Sequence, residues 1–290
     1  MNEYIFGNKV VKGQDLEKEK AENFLCHFKN SPINFKEDGL EKTAEEIKVL
    51  NDFNDFLGEE FEEMNLPFKD VPQDRIIFLN SESFDKLGEK EFKTALYDNY
   101  NNVIVANHGY EEWESKRLFW YKAILHEMIH FVSFQKNLLI KKEDNRTQIN
   151  NLRVGYRGRG KEVKNDIFKG FNEGMTDLIV MDILKKHKEE LALDFNISKE
   201  EEEEFISTKK QFYEYAFFIN DLIKRIAEKT DKDEGEVWKK MKEGCFTGEM
   251  MHLREIERVL GKDSLKILSR LGYSDEENKK VYDFFKLDRD

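Results

Sequence analysis

The distribution of apolar positions divides the chain into segments of different period. From about Asp15 to Asn65 the spacing is helical and reads as two helices. The second opens at Thr43-Ala44-Glu45-Glu46, a capping-box pattern. Its apolar positions Ile47, Leu50, Phe53, Leu57 and Phe61 follow at helical intervals. Pro67 and Pro72 then punctuate the chain and mark a boundary. Arg75-Ile76-Ile77-Phe78-Leu79 reads as a short strand. Thr94 to Tyr97 and Val103 to Ala106, joined by an Asn/Asp-rich turn, read as a hairpin. From Leu118 to Phe134 the chain is apolar nearly all round, the pattern of a buried helix. Beyond Lys188 the period is helical again, through Phe212, Tyr215, Phe218, Ile219, Leu222 and Ile226. Further helices are expected near 235–242, 250–260, 262–271 and 275–285. Ser198 and the acidic run Glu200 to Glu204 read as an N-cap and a dipole-favoured first turn.

These patterns predict an α+β protein. Residues 1–70 form an N-terminal helical segment, 71–190 a core with a small mixed sheet, and 191–290 a mainly helical C-terminal lobe.

The buried helix carries the chemistry. Within it stands His126-Glu127-Met128-Ile129-His130. Positions i and i+4 share a helix face, so both imidazoles can aim at one point, as the first two ligands of a zinc ion must. Glu127 is placed to take a proton from a zinc-activated water. The bland alternative is two histidines along a helix face with a solvated glutamate. It fits poorly in an apolar surround, where unpartnered polar groups cost several kcal/mol. A catalytic zinc needs a third protein ligand. Phe171-Asn172-Glu173-Gly174-Met175-Thr176-Asp177 offers Glu173. Asp177 lies one turn further on the same face, where it can accept the second ring N–H of a zinc-bound histidine.

The pair H-E-x-x-H and N-E-x-x-[ST]-D resembles the gluzincin clan of zinc metallopeptidases, the thermolysin-like proteins. Asn172-Glu173-Gly174 also resembles the N-E-G segment of the M1-type aminopeptidases. The resemblance implies a zincin-like fold with His126, His130 and Glu173 as zinc ligands, Glu127 as general base and Asp177 as partner of His126. It implies a peptide or protein substrate. The likeness runs from about Arg75 to Asp182. The gap between His130 and Glu173 is longer than in either family, which implies an insertion between the zinc helices. No His-x-x-Gly-x-x-His continuation follows His130, so the metzincin pattern is absent. In zincins a sheet before the zinc helix offers an edge strand to extended peptide; the hairpin here fits that role or that of a core strand. An oxyanion donor would come from Tyr213, Tyr215, His252 or Tyr156.

The expected insertion, 153–164, carries Arg153, Arg157, Arg159 and Lys161 among three glycines. It reads as a solvated hairpin, with attraction of an acidic substrate or carboxylate terminus as the alternative. The net charge of −12 disfavours nucleic acid, whose phosphates need a basic surface. The two cysteines, Cys26 and Cys245, read as free thiols in a reducing compartment. The sequence from Met1 has no signal-peptide pattern, and no stretch has the apolar length to span a bilayer, so a cytoplasmic protein is expected. Two other readings stand beside the peptidase. One is a catalytically weak zincin-fold module that binds peptides or regulates a partner. The other is a helical structural protein with a chance motif.

Overall fold

The computed structural model describes residues 3–6, 9–12, 38–87, 94–98, 102–109, 117–141, 147–159, 166–195 and 214–286. In chain order the elements are β1 (Glu3–Phe6), β2 (Lys9–Lys12), α1 (Ala44–Glu63), β3 (Ile76–Leu79), α2 (Ser81–Asp85), β4 (Ala95–Asp98), β5 (Val103–Asn107) and α3 (Arg117–Val132). Then follow β6 (Gln135–Lys141), β7 (Thr147–Val154), β8 (Arg157–Arg159), β9 (Asp166–Ile167), α4 (Lys169–Lys186), α5 (Lys188–Phe195) and α6 (Glu214–Thr230). The chain ends in α7 (Glu234–Thr247), α8 (Leu253–Leu260), α9 (Ser264–Leu268) and α10 (Asp275–Phe285). The described residues fall into two compact units. One is drawn from Met1–Val132, Lys136–Asn151 and His187–Phe205, the other from Ser133–Gln135, Leu152–Lys186 and Ile206–Asp290. The first helix of the sequence reading, Cys26, Ser198, the acidic run at 200–204, Phe212, Tyr213 and residues 160–164 lie outside the described residues.

In the first unit α1 starts where its capping box stands. Thr43 Oγ1 accepts from Glu46 N at 3.2 Å, and Glu46 Oε2 accepts from Thr43 N at 2.6 Å. This satisfies two N-terminal donors reciprocally. The inward stripe is Glu46, Val49, Leu50, Phe53, Phe56, Leu57, Glu60 and Phe61, all buried. Ile47, expected on that stripe, is 41% exposed. At the first turn the inward position belongs to Glu46, whose Oε1 meets His108 Nε2 at 2.7 Å. Ile47, about 100° further round the helix, is turned out.

The small sheet has the order β3-β5-β4. β3 and β5 run parallel, while β4 and β5 form the expected antiparallel hairpin with Tyr97 opposite Ile104. β5 is buried throughout and central, and β4 is an edge strand among the described residues. α3 lies against this sheet. Trp120 Nε1 donates to Asn107 O at 2.8 Å, and the rings of Tyr97 and Phe131 are 5.7 Å apart. β1 pairs antiparallel with β2 and parallel with β6, strands that the sequence pattern did not announce.

In the second unit the end of β7 turns at Gly155-Tyr156 and pairs with β8, which pairs with β9. α4 packs on α6 around Phe171, Met175, Ile179, Phe218, Ile219 and Leu222, all buried. Gly174 permits that approach, because a Cβ there would stand 2.7 Å from the backbone of Tyr215. Gly170 does the same against Gly272 and Leu271, again at 2.7 Å. Among the described residues no helix is long and apolar enough to cross a membrane.

Candidate metal centre

α3 carries no proline or glycine to break it, and its helix is held by burial of its largely apolar surface rather than by intrinsic propensity, since aromatic and β-branched residues are frequent in it. Tyr121, Ile124, Leu125, Met128 and Ile129 are fully enclosed. His126 and His130 are the polar interruption, one turn apart. Their Nε2 atoms face each other at 3.0 Å, with the rings nearly perpendicular at 77°. Two nitrogens on one tetrahedral zinc, at bond lengths of about 2.0–2.1 Å, stand about 3.3 Å apart. The pair is thus close to the spacing a shared ion imposes, and a single N–H held between two neutral rings gives a similar distance. Glu127 is buried beside them.

α4 supplies the remaining sequence-selected acids. Two amides at its start are tied to backbone: Phe168 N, just before the helix, donates to Ser269 O and Gly170 N to Leu271 O, each at 2.8 Å. That fixes the first turn, on which Asn172 is buried and Glu173 half-buried. One ligand atom each from His126, His130 and Glu173 lie within 4.8 Å of one another. Among the described residues this is the one group of three or more such side chains with that geometry. Asp177 stands one turn after Glu173, half-buried.

The four oxyanion candidates separate. Tyr156 is 1% exposed; its hydroxyl is 2.7 Å from Met241 O and 2.5 Å from His252 Nε2. A hydroxyl carries one proton. If it goes to the Met241 carbonyl, the ring must donate from Nε2. Burial pushes the Tyr156 hydroxyl well above its ordinary range and drives His252 down to about 4, so the ring is neutral near pH 7. Both groups are engaged with each other. Tyr215 accepts from Asn278 Nδ2 at 3.1 Å, and Tyr213 is outside the described residues.

The basic segment is a hairpin in which Arg157 stays 41% exposed while Arg153 is taken into the fold. Arg153 donates from Nε to Gly155 O at 2.6 Å and from Nη1 to Gly248 O at 2.7 Å, with its guanidinium over the Phe134 ring. Burial lowers its pKa. Gly248 is the left-handed cap of α7, so Arg153 sits at the negative end of that helix. Arg157 pairs with Asp166 at 2.5 Å. Sequence reasoning missed Asn172 as more than part of a motif. Its Oδ1 accepts from Tyr156 N at 2.8 Å and ties the hairpin turn to α4. Cys245 is a free, fully enclosed thiol whose pKa burial raises to about 11.

No protein-family description, curated protein or solved structure matches this chain.

Proposed function

We propose that this chain is a zinc metallopeptidase of the gluzincin type, hydrolysing peptide bonds. The observation that carries the reading is the grouping of His126, His130 and Glu173 within 4.8 Å. Two imidazoles and one carboxylate are the donor set of catalytic zinc sites that keep a fourth position for water. The ring nitrogens at 3.0 Å fit a common ion, and the one described cysteine is engaged elsewhere, with Ser133. Bound there, zinc would supply Lewis acidity to a scissile carbonyl and acidify a water.

The chain's own residues have the following roles in this reading. Glu127 takes the proton of the attacking water and delivers it to the leaving amine. It is buried beside the two histidines. Asp177 orients the imidazole of His126. β4, at the edge of its sheet, offers backbone donors and acceptors to an extended peptide. Of the oxyanion candidates, Tyr156 and His252 are hydrogen-bonded to each other and Tyr215 to Asn278, so none of the three is singled out as the donor. A reducing, cytoplasmic setting suits the free thiol of Cys245.

That same Tyr156–His252 engagement favours a second reading, a zincin-fold peptide-binding or regulatory protein with weak turnover. Metal analysis comes first, on wild-type and Glu173→Ala protein purified without a histidine tag. About one zinc per wild-type chain, sharply reduced in the variant, supports the three-ligand site. A wild-type chain that stays empty through a zinc titration refutes it. Turnover on a peptide library, lost in Glu127→Gln with zinc retained, separates the enzyme from the binding module.

A further inference from the structure

The turn at Gly155-Tyr156 makes two consecutive backbone hydrogen bonds with notable targets. Gly155 N–H donates to Phe134 O at 2.7 Å. Phe134 stands four residues beyond His130 in the chain. Tyr156 N–H donates to Asn172 Oδ1 at 2.8 Å. Asn172 immediately precedes Glu173. Adjacent amides of one turn therefore hold Phe134 and the residue beside the third candidate ligand.

The turn has little freedom to shift. Gly155 has φ +51°, and a Cβ there would stand 2.4 Å from Asn172 Oδ1 and 3.3 Å from Cys245 Sγ. Phe134 N donates to Cys245 O at 3.1 Å, and the Phe134 ring fills the space that a side chain at Gly248 would need. Arg153 clasps the turn through Gly155 O and reaches Gly248 O. The Tyr156 hydroxyl is anchored on Met241 O and His252. Asn172 is 2% exposed, so its amide has no solvent alternative.

We propose that the Gly155–Tyr156 turn is the positioning element of the third candidate ligand, with Gly155 and Asn172 as positioning residues that fix Glu173 at the start of α4. The inference rests on the metal reading above. Metal sites require their ligands to be held to within about 0.5 Å, and groups that only orient ligands alter affinity by about 10–100-fold. The segment that the sequence marks as an insertion is, in this view, part of the site's support.

The test uses the full chain with four substitutions: Gly155→Ala, Asn172→Leu, Asn172→Asp and, as a control, Val281→Ala in the enclosed core of α10. Zinc affinity is read by competition with a chelator. Amide exchange is read on metal-free protein over 133–135 and 171–177. Asn172→Leu and Gly155→Ala should weaken zinc at least about ten-fold. Asn172→Asp, which keeps an acceptor oxygen in place, and Val281→Ala should stay within about three-fold of wild type. Exchange should rise in both segments together in the first two variants. Wild-type affinity in Asn172→Leu, or an equal loss in Val281→Ala, overturns the proposal. If wild-type protein binds no zinc, the metal reading fails on its own, and exchange left unchanged in either segment overturns the coupling. Should Gly155→Ala not fold, the Asn172 pair decides.

Discussion

Acidification should destabilise the protein through His252. Burial is the largest cause of that ring's depressed pKa, about 4 against an ordinary 6.5; Lys240 and Arg153 lower it further, and Glu255 and Glu243 oppose them. The sign follows from proton uptake. Well above pH 6.5 the ring is neutral in both states and adds no pH dependence. Below it the unfolded chain takes a proton that the folded ring refuses, so stability falls until the pH passes through about 4. At pH 5 the unfolded ring is almost fully protonated and the folded ring about one-tenth protonated. The loss relative to pH 7.5 is then about 2 kcal/mol, with a local slope of about 1 kcal/mol per pH unit. Other groups titrate in the same range, so the informative quantity is a difference. In His252→Gln the side-chain amide can still donate to the Tyr156 hydroxyl, while the titration is gone. Urea midpoints followed by tryptophan fluorescence at pH 7.5 and 5, on metal-free protein, give the two acid limbs. The wild-type limb should be steeper by about 2 kcal/mol over that range. Equal limbs would refute a neutral, desolvated ring at this position.

Gly174→Ala should destabilise the fold by roughly 1–2 kcal/mol in urea unfolding: helix propensity favours alanine by about 1 kcal/mol, but the new methyl meets the Tyr215 backbone at 2.7 Å, which cannot swing aside. A more stable variant would mean that α4 and α6 separate freely. Thr43→Ala removes both the acceptor for Glu46 N and the hydroxyl held by Glu46, and should lower stability by about 1 kcal/mol, with Thr43→Ser recovering most of it. In a Cys26→Ser background Cys245 should resist a thiol-specific reagent at pH 8 and react only at the rate of unfolding, because the thiol is enclosed and its pKa is raised to about 11. Fast labelling of the native protein would place Cys245 at a surface.

Elements with local signals were legible in the sequence. The capping box set the start of α1, and α10 spans Asp275–Phe285, the interval its spacing marked. The β4–β5 hairpin followed from two apolar runs around an Asn-rich turn, where Asn102 takes φ +55°. Which hairpin strand has the open edge could not be read, because that depends on β3 pairing with β5 from a distance along the chain. Ile47 shows the limit of a periodic count. The apolar period continues to the helix start, whereas the fold turns a glutamate inward there because capping and His108 satisfy its carboxylate.

The region between α3 and α4 was the least legible, and the reason is physical. Gln135–Lys141 and Thr147–Val154 are strands rich in lysine, asparagine, glutamine and threonine, without the apolar alternation that marks a half-buried strand. Strand formation depends on partners more than on intrinsic preference, and of β6's two neighbours in the sheet, β1 and β7, the first lies far back near the start of the sequence. In the arginine-glycine segment after them, residue type does not distinguish Arg157, which stays 41% exposed, from Arg153, which the fold takes in. In the fold Arg153 lies at a helix C-terminus over an aromatic ring, and Gly155 is where a side chain would strike Asn172. The motif residues were easy to name since their chemistry is written in residue type and spacing. What holds such residues in register is written in backbone amides and in the room a missing Cβ leaves, and neither has a signature in residue type alone.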